Sequence, residues 1–274
     1  MNPRALAAWS LSGITIALAT GNPVYRLLVL LCAINLLTVF RRADVSVRGL
    51  LIALAVAAAI AMAITTLASH TGAHPFLELP AGIPVIGGSL TLEAALFGAA
   101  TGIGIAAAVL AAAPLSLVLQ PHELVDALPA ALARTGAAVG TALNLIPGIA
   151  RSAVEIRDAQ RMRGWRSRRI REWPDLAVPV VLTALESSIT LAEAMEARGY
   201  GSGARTHYGD QVWRRSDMVV AVVAPVAAAL FVTLRVAGGI ADWYPFPDLT
   251  WPSVDVVGVA CCLVLAIPLL VWRR

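Results

Sequence analysis

Long uncharged apolar runs separated by short polar breaks dominate this chain. Residues 50–68, 92–119, 218–240 and 254–272 are each close to the 20 or so mostly apolar positions that a bilayer-spanning helix needs. None of the four carries a charge at its centre. Two shorter runs, 5–20 and 27–40, lie on either side of Gly21-Asn22-Pro23 and Arg26. They predict a tight helical hairpin with Arg26 snorkelling to the interface. One long kinked helix is the other reading, and it would move the N-terminus to the opposite side. The pattern therefore gives an all-α, polytopic membrane helix bundle of about six spans.

Between the apolar blocks lies a segment that is too polar for membrane and too apolar for a free linker. The divisions are residues 1–119, an N-terminal set of spans; 120–216, an extramembrane domain; and 217–274, a C-terminal pair of spans. Within 120–216, Pro121-His122-Glu123-Leu124-Val125-Asp126 reads as a helix start, with proline and acids in the first turn. Asn144 to Pro147 predicts a break, followed by helices over about 147–163 and 179–198. A charged connector over 166–172 ends at Trp173-Pro174, and Gly199-Tyr200-Gly201-Ser202-Gly203 stops the last helix.

Composition agrees with lipid as the solvent. Charged residues make up 14% of the 274, against roughly 25% in a soluble domain. All 21 basic residues are Arg, and their placement sets the orientation. Arg41, Arg42 and Arg48, thirteen arginines from Arg134 to Arg215, and Arg273-Arg274 fall on one side if both termini are cytoplasmic. The basic balance is thus explained by topology, and no nucleic-acid partner is expected. Cys32, Cys261 and Cys262 sit in apolar runs as small hydrophobes rather than as a disulfide or zinc pattern.

No constellation for catalysis is present: there is no Gly-Lys-Ser/Thr nucleotide loop, no Gly-x-Ser-x-Gly and no His-Glu-x-x-His. No cofactor is expected. His70 and His74 are spaced as two metal ligands would be on a helix, but a third ligand is missing and Pro75 follows, so no metal site is expected. Ionisable residues at the bilayer midplane would mark an ion-coupled transporter, and the spans offer only Asn35 as a buried polar candidate, read as a packing hydrogen bond.

An internal repeat offset by 35 residues carries the functional reading. Asp158-Ala159 to Arg163-Gly164-Trp165 matches Glu193-Ala194 to Arg198-Gly199-Tyr200. Each copy places an Arg in the last helical turn with Gly just beyond it, the common C-terminal cap. Two copies, each followed by an aromatic residue, suit bidentate pairing of exposed guanidinium groups with carboxylates on a partner. Ile149, Val154, Ile156 and Ala159, and Leu182, Leu185, Ile189 and Ala192, form stripes that are expected to pack and hold the two tips in place.

The segment from Ile146-Pro147 through Ile156, Asp158-Ala159-Gln160 and Arg163-Gly164, then Glu193-Ala194-Met195-Glu196-Ala197-Arg198-Gly199-Tyr200-Gly201 and Arg205-Thr206, resembles the T component of energy-coupling factor (ECF) transporters. Leu90-Thr91-Leu92-Glu93 and Pro121 to Leu128 fit that family's order of elements. Its mark is a pair of Ala-Arg-Gly motifs ending two cytoplasmic coupling helices. The second copy matches at Ala197-Arg198-Gly199. The first reads Met162-Arg163-Gly164, keeping the charge and the Gly.

The resemblance implies a coupling subunit in the inner (plasma) membrane that is not itself an enzyme. It implies two ABC ATPase subunits bound through Arg163 and Arg198, and a small substrate-binding membrane subunit that takes a vitamin or a transition-metal ion. The competing expectations are the permease subunit of another ABC importer, or a membrane scaffold with no transport role.

Overall fold

The computed structural model describes residues 2–40, 46–69, 71–78, 89–119, 123, 133–165, 173–200 and 213–272. Its elements are α1 (Pro3–Ala19), α2 (Pro23–Phe40), α3 (Arg48–Ala68), β1 (Pro75–Glu78), β2 (Ser89–Thr91), α4 (Leu92–Ala112), α5 (Pro114–Leu117), α6 (Ala133–Met162), α7 (Pro174–Ala197), α8 (Arg215–Val236), α9 (Val256–Val264) and α10 (Ile267–Val271). They form two compact units, residues 1–120 with 212–274, and residues 121–211. The chain is an all-α, polytopic helical protein apart from the β1–β2 ribbon. That ribbon is a short antiparallel pair with an irregularity between Pro75 and Leu77.

In the larger unit α4 is the hub, with α1, α2 and α3 all packed on it, and α8 packed on α1. Lipid gives no hydrophobic drive to press one helix on another, so close backbone approach at small residues has to do it. Gly98 and Gly102, one turn apart on α4, supply that approach. A Cβ on Gly98 would lie 2.8 Å from the Met62 Cα, and one on Gly102 would lie 2.8 Å from the Ala58 Cα. The spacing is the Gly-x-x-x-Gly of membrane helix pairs, visible in the sequence but not singled out there.

Gly21-Asn22-Pro23 separates α1 from α2 as two helices. The Asn22 side chain accepts from the Val24 N–H at 3.0 Å and donates to the Ser253 carbonyl at 2.7 Å. It thereby caps α2, whose first residue is the proline that suits that position. Arg26 corrects one expectation: it does not snorkel to the interface. Its Nη1 donates to the Ala100 carbonyl at 2.8 Å, and the guanidinium lies against Gly104, where a Cβ would fall 2.8 Å from its carbon. Asn35, expected to be buried, is exposed and donates to the Leu31 carbonyl of its own helix at 2.9 Å. Among the described residues the buried carboxylates stand at helix ends instead, Glu93 in the first turn of α4 and Asp217 in the first turn of α8. Trp272 Nε1 donates to Asp217 at 2.9 Å.

Glu93 accepts from or pairs with His74 Nδ1 at 2.7 Å, and the Leu92 N–H donates to the His74 carbonyl at 3.1 Å, so this histidine ties the ribbon to α4. His70, its suggested partner in metal ligation, lies outside the described residues.

Among the described residues, five helices are long and apolar enough to cross a bilayer: Pro23–Phe40, Arg48–Ala68, Leu92–Leu117, Pro174–Ala197 and Arg215–Val236. This set differs from the predicted six at three places. α1 has 17 residues, at the lower limit for a span. The predicted last span is interrupted between α9 and α10, where Pro268 cannot donate to the preceding turn. The Leu265 carbonyl at that interruption is satisfied by Trp9 Nε1 at 2.8 Å, which keeps a polar group paired where no water is available. The added member is α7, within the segment read from sequence as extramembrane.

The smaller unit contains α6 and α7, packed on each other. The predicted break at Asn144 to Pro147 is not a break. α6 runs for 30 residues straight through Pro147, a length of about 45 Å at 1.5 Å per residue. α7 begins at Pro174 rather than near Pro179. Pro174 occupies a first-turn position, where the missing N–H costs nothing. The predicted helix start at Pro121 falls almost wholly outside the described residues.

Candidate partner-docking site

The 35-residue repeat folds into two helix ends with the same backbone closure. At the end of α6 the Trp165 N–H donates to the Gln160 carbonyl at 3.0 Å and the Gly164 N–H to the Arg161 carbonyl at 3.0 Å. At the end of α7 the Tyr200 N–H donates to the Met195 carbonyl at 3.0 Å and the Gly199 N–H to the Glu196 carbonyl at 2.8 Å. Both are Schellman motifs, with a 6→1 and a 5→2 bond nested around a left-handed residue. Gly164 has φ +87° and Gly199 has φ +77°, a region in which a Cβ is strained.

This closure explains the spacing of the repeat residue by residue. The left-handed position requires Gly. The residue before it, Arg163 or Arg198, is the last with near-helical backbone, and the residue after it is the aromatic one. The backbone of each tip therefore presents its arginine at the same point of the cap. A cation there also faces the negative end of the helix dipole.

Both arginines are exposed, and so are Met162, at 85%, and Ala197. Their electrostatic surroundings differ from those of their neighbours. Asp158 lies 3.5 Å from Arg157 and 3.8 Å from Arg161, two loose surface pairs. Neither Arg163 nor Arg198 has an ion pair among the described residues, although Glu193 and Glu196 stand in the last turns of α7. Surface pairs of this kind contribute at most about 1 kcal/mol.

The apolar stripes correct another expectation. They do not serve as packing that holds the tips. Leu182, Leu185, Ile189 and Ala192 are exposed, as are Val178 and Val181 on the same helix, and α7 buries no residue at all. On α6, Val154 and Ala159 are exposed and Ile149 and Ile156 half-buried. Helical spacing alone cannot say whether an apolar stripe meets its own chain or something else. What holds each tip is the local cap.

Residues 1–208 match the family of cobalt transport proteins CbiQ. Among curated relatives, the energy-coupling factor transporter transmembrane protein EcfT of Bacillus subtilis (strain 168) is 37% identical over 100 residues, 34% of this chain and 38% of that protein. EcfT of Listeria innocua serovar 6a is 32% identical over 139 residues, 44% and 52% of the two chains. EcfT of Staphylococcus aureus (strain 04-02981) is 30% identical over 142 residues, 45% and 53%. The chain spans about half or less of the length of these curated relatives.

Proposed function

Because the chain belongs to the CbiQ family of cobalt transport proteins and is a multi-pass membrane protein of the energy-coupling factor transporter type, we propose that it couples ATP hydrolysis in two partner ATPase subunits to solute uptake. Arg163 and Arg198 each enter an acidic groove of one ABC ATPase. Met162-Arg163-Gly164 and Ala197-Arg198-Gly199 form the docking tips, which face the cytoplasm of a cell with its bundle in the plasma membrane. Residues 120–216 serve as the coupling domain between the spans of 1–119 and 217–274.

One observation carries this reading: two helices end in the same cap, and each cap exposes an arginine that has no ion pair among the described residues. A matched pair of cationic tips fits a matched pair of acidic sites. A single coupling helix, as expected for the permease of another ABC importer, would need only one. The open apolar face of α7 supports contact with a small substrate-binding membrane subunit, which captures the vitamin or metal ion. Glu186, Glu193 and Glu196 in the second half of α7 favour an interfacial position over a span, despite its length. ATP hydrolysis then resides in the partners. Moving the two tips biases the membrane arrangement between states, which is how a coupling subunit works without chemistry of its own.

The test is charge reversal, Arg163→Glu and Arg198→Glu, singly and together, in the assembled complex. Losing one desolvated charge pair costs about 2–5 kcal/mol, so each single change weakens ATPase association by roughly 30-fold or more. The double change is expected to abolish both co-purification of the ATPase pair and uptake. Survival of both in the double variant would sink the proposal.

A further inference from the structure

α2 and α3 each pack on α4, and at one end of the bundle they leave a cavity of about 180 Å³. Its walls are Ile34 and Leu37 of α2 and Val47 and Leu51 beside and on α3, and Leu110 of α4 lies between them. Its rim is polar, with Thr38 and Arg48. Leu37, Val47 and Leu110 are buried, whereas Thr38 and Arg48 are exposed, so the cavity opens at the rim. For scale, an apolar cavity of roughly 150 Å³ stays dry and takes up a benzene.

Among the described residues no carboxylate answers the charge at this rim. Arg48 opens α3, has no ion pair among the described residues, and no acidic residue stands in its helix's first turn. A cation at that end of a helix is opposed by the dipole rather than favoured by it. The Thr38 hydroxyl is turned to its own helix, donating to the Asn35 carbonyl at 2.9 Å. Among the described residues, Arg48 is therefore left as the one free polar donor at the mouth of this apolar slot.

We infer that this slot holds an anionic phospholipid, with part of an acyl chain against Leu37, Leu51 and Leu110 and the phosphate on Arg48. The pairing follows from charge complementarity, since a planar guanidinium takes phosphate in a two-pronged hydrogen bond and an acyl chain fills an apolar cavity that water would leave dry. Basic residues at a membrane face attract acidic lipids in general. Here the cavity under Arg48 turns that attraction into a site. The bound lipid would fill the space between α2 and α3, whose main shared support is α4.

The experiment uses the full chain in detergent, with bound lipid resolved by native mass spectrometry and apparent Kd read for phosphatidylglycerol and for phosphatidylcholine. Phosphatidylglycerol is expected to bind at least tenfold more tightly. Arg48→Gln, at an exposed position that leaves the fold alone, is expected to bring the two lipids within about threefold. Leu51→Trp, which fills the slot, is expected to weaken both lipids, with helical circular dichroism verifying that the protein is folded. Inorganic phosphate at 10 mM (roughly a thousandfold excess over lipid) is expected not to displace phosphatidylglycerol. An unchanged lipid preference in Arg48→Gln would overturn the proposal, as would undiminished binding in folded Leu51→Trp or displacement by phosphate alone.

Discussion

Replacing Gly98 and Gly102 by Ala tests how the bundle is held together. A methyl group at Gly98 would sit 2.8 Å from the Met62 Cα and 3.0 Å from its carbonyl oxygen. At Gly102 it would sit 2.8 Å from the Ala58 Cα and 2.9 Å from its Cβ and oxygen. These neighbours are mostly backbone, so no side-chain tip can swing away, and comfortable carbon contacts of about 3.5–4.0 Å require α3 and α4 to part by about 1 Å. Overpacking of this size costs about 1–3 kcal/mol per site, beyond which the parted helices lose dispersion along their contact. The two changes should cost less than their sum, because one displacement relieves both clashes. Gly49→Ala on α3 is the control, since its methyl would meet nothing within 4 Å. Removing a flexible glycine there should stabilise the helix by up to about 1 kcal/mol. Equilibrium unfolding in mixed micelles reads all three. If Gly98→Ala and Gly102→Ala behaved like Gly49→Ala, the close-approach account of the α3–α4 pair would be wrong.

Two further outcomes are expected. Gly164→Ala and Gly199→Ala should each cost about 1–2 kcal/mol of local stability because a Cβ is strained at positive φ, whereas Asn in the same place should recover part of it. Amide exchange at Trp165 and Tyr200 measures this directly, and unchanged protection would refute the cap assignment. At the ribbon, His74→Ala should destabilise more than Glu93→Leu in denaturant unfolding at neutral pH. The first takes the imidazole from a wholly buried carboxylate, at about 1–3 kcal/mol for the lost partner, whereas the second leaves a histidine whose side chain is 62% exposed and can be rehydrated. The reverse order would mean that the pair does not anchor the ribbon.

The sequence by itself settled what depends on composition and on local backbone rules. Apolar runs identified a helical membrane bundle because a bilayer admits few other ways to satisfy the backbone. Gly21-Asn22-Pro23 marked a real interruption because those three residues each disfavour a continuing helix. The Arg-Gly-aromatic repeat was legible because a left-handed cap demands glycine at one place only, which also fixes where each arginine falls. Tertiary structure decided what depends on neighbours. Pro147 reads as a breaker, yet α6 continues through it, since losing one hydrogen bond does not end a 30-residue helix. Arg26 reads as an interfacial charge, yet Gly104 leaves room for it between helices. The stripe of Leu182, Leu185 and Ile189 reads as core, yet it lies open. Helical periodicity tells which residues share a face, and only the packing of the chain tells what that face meets.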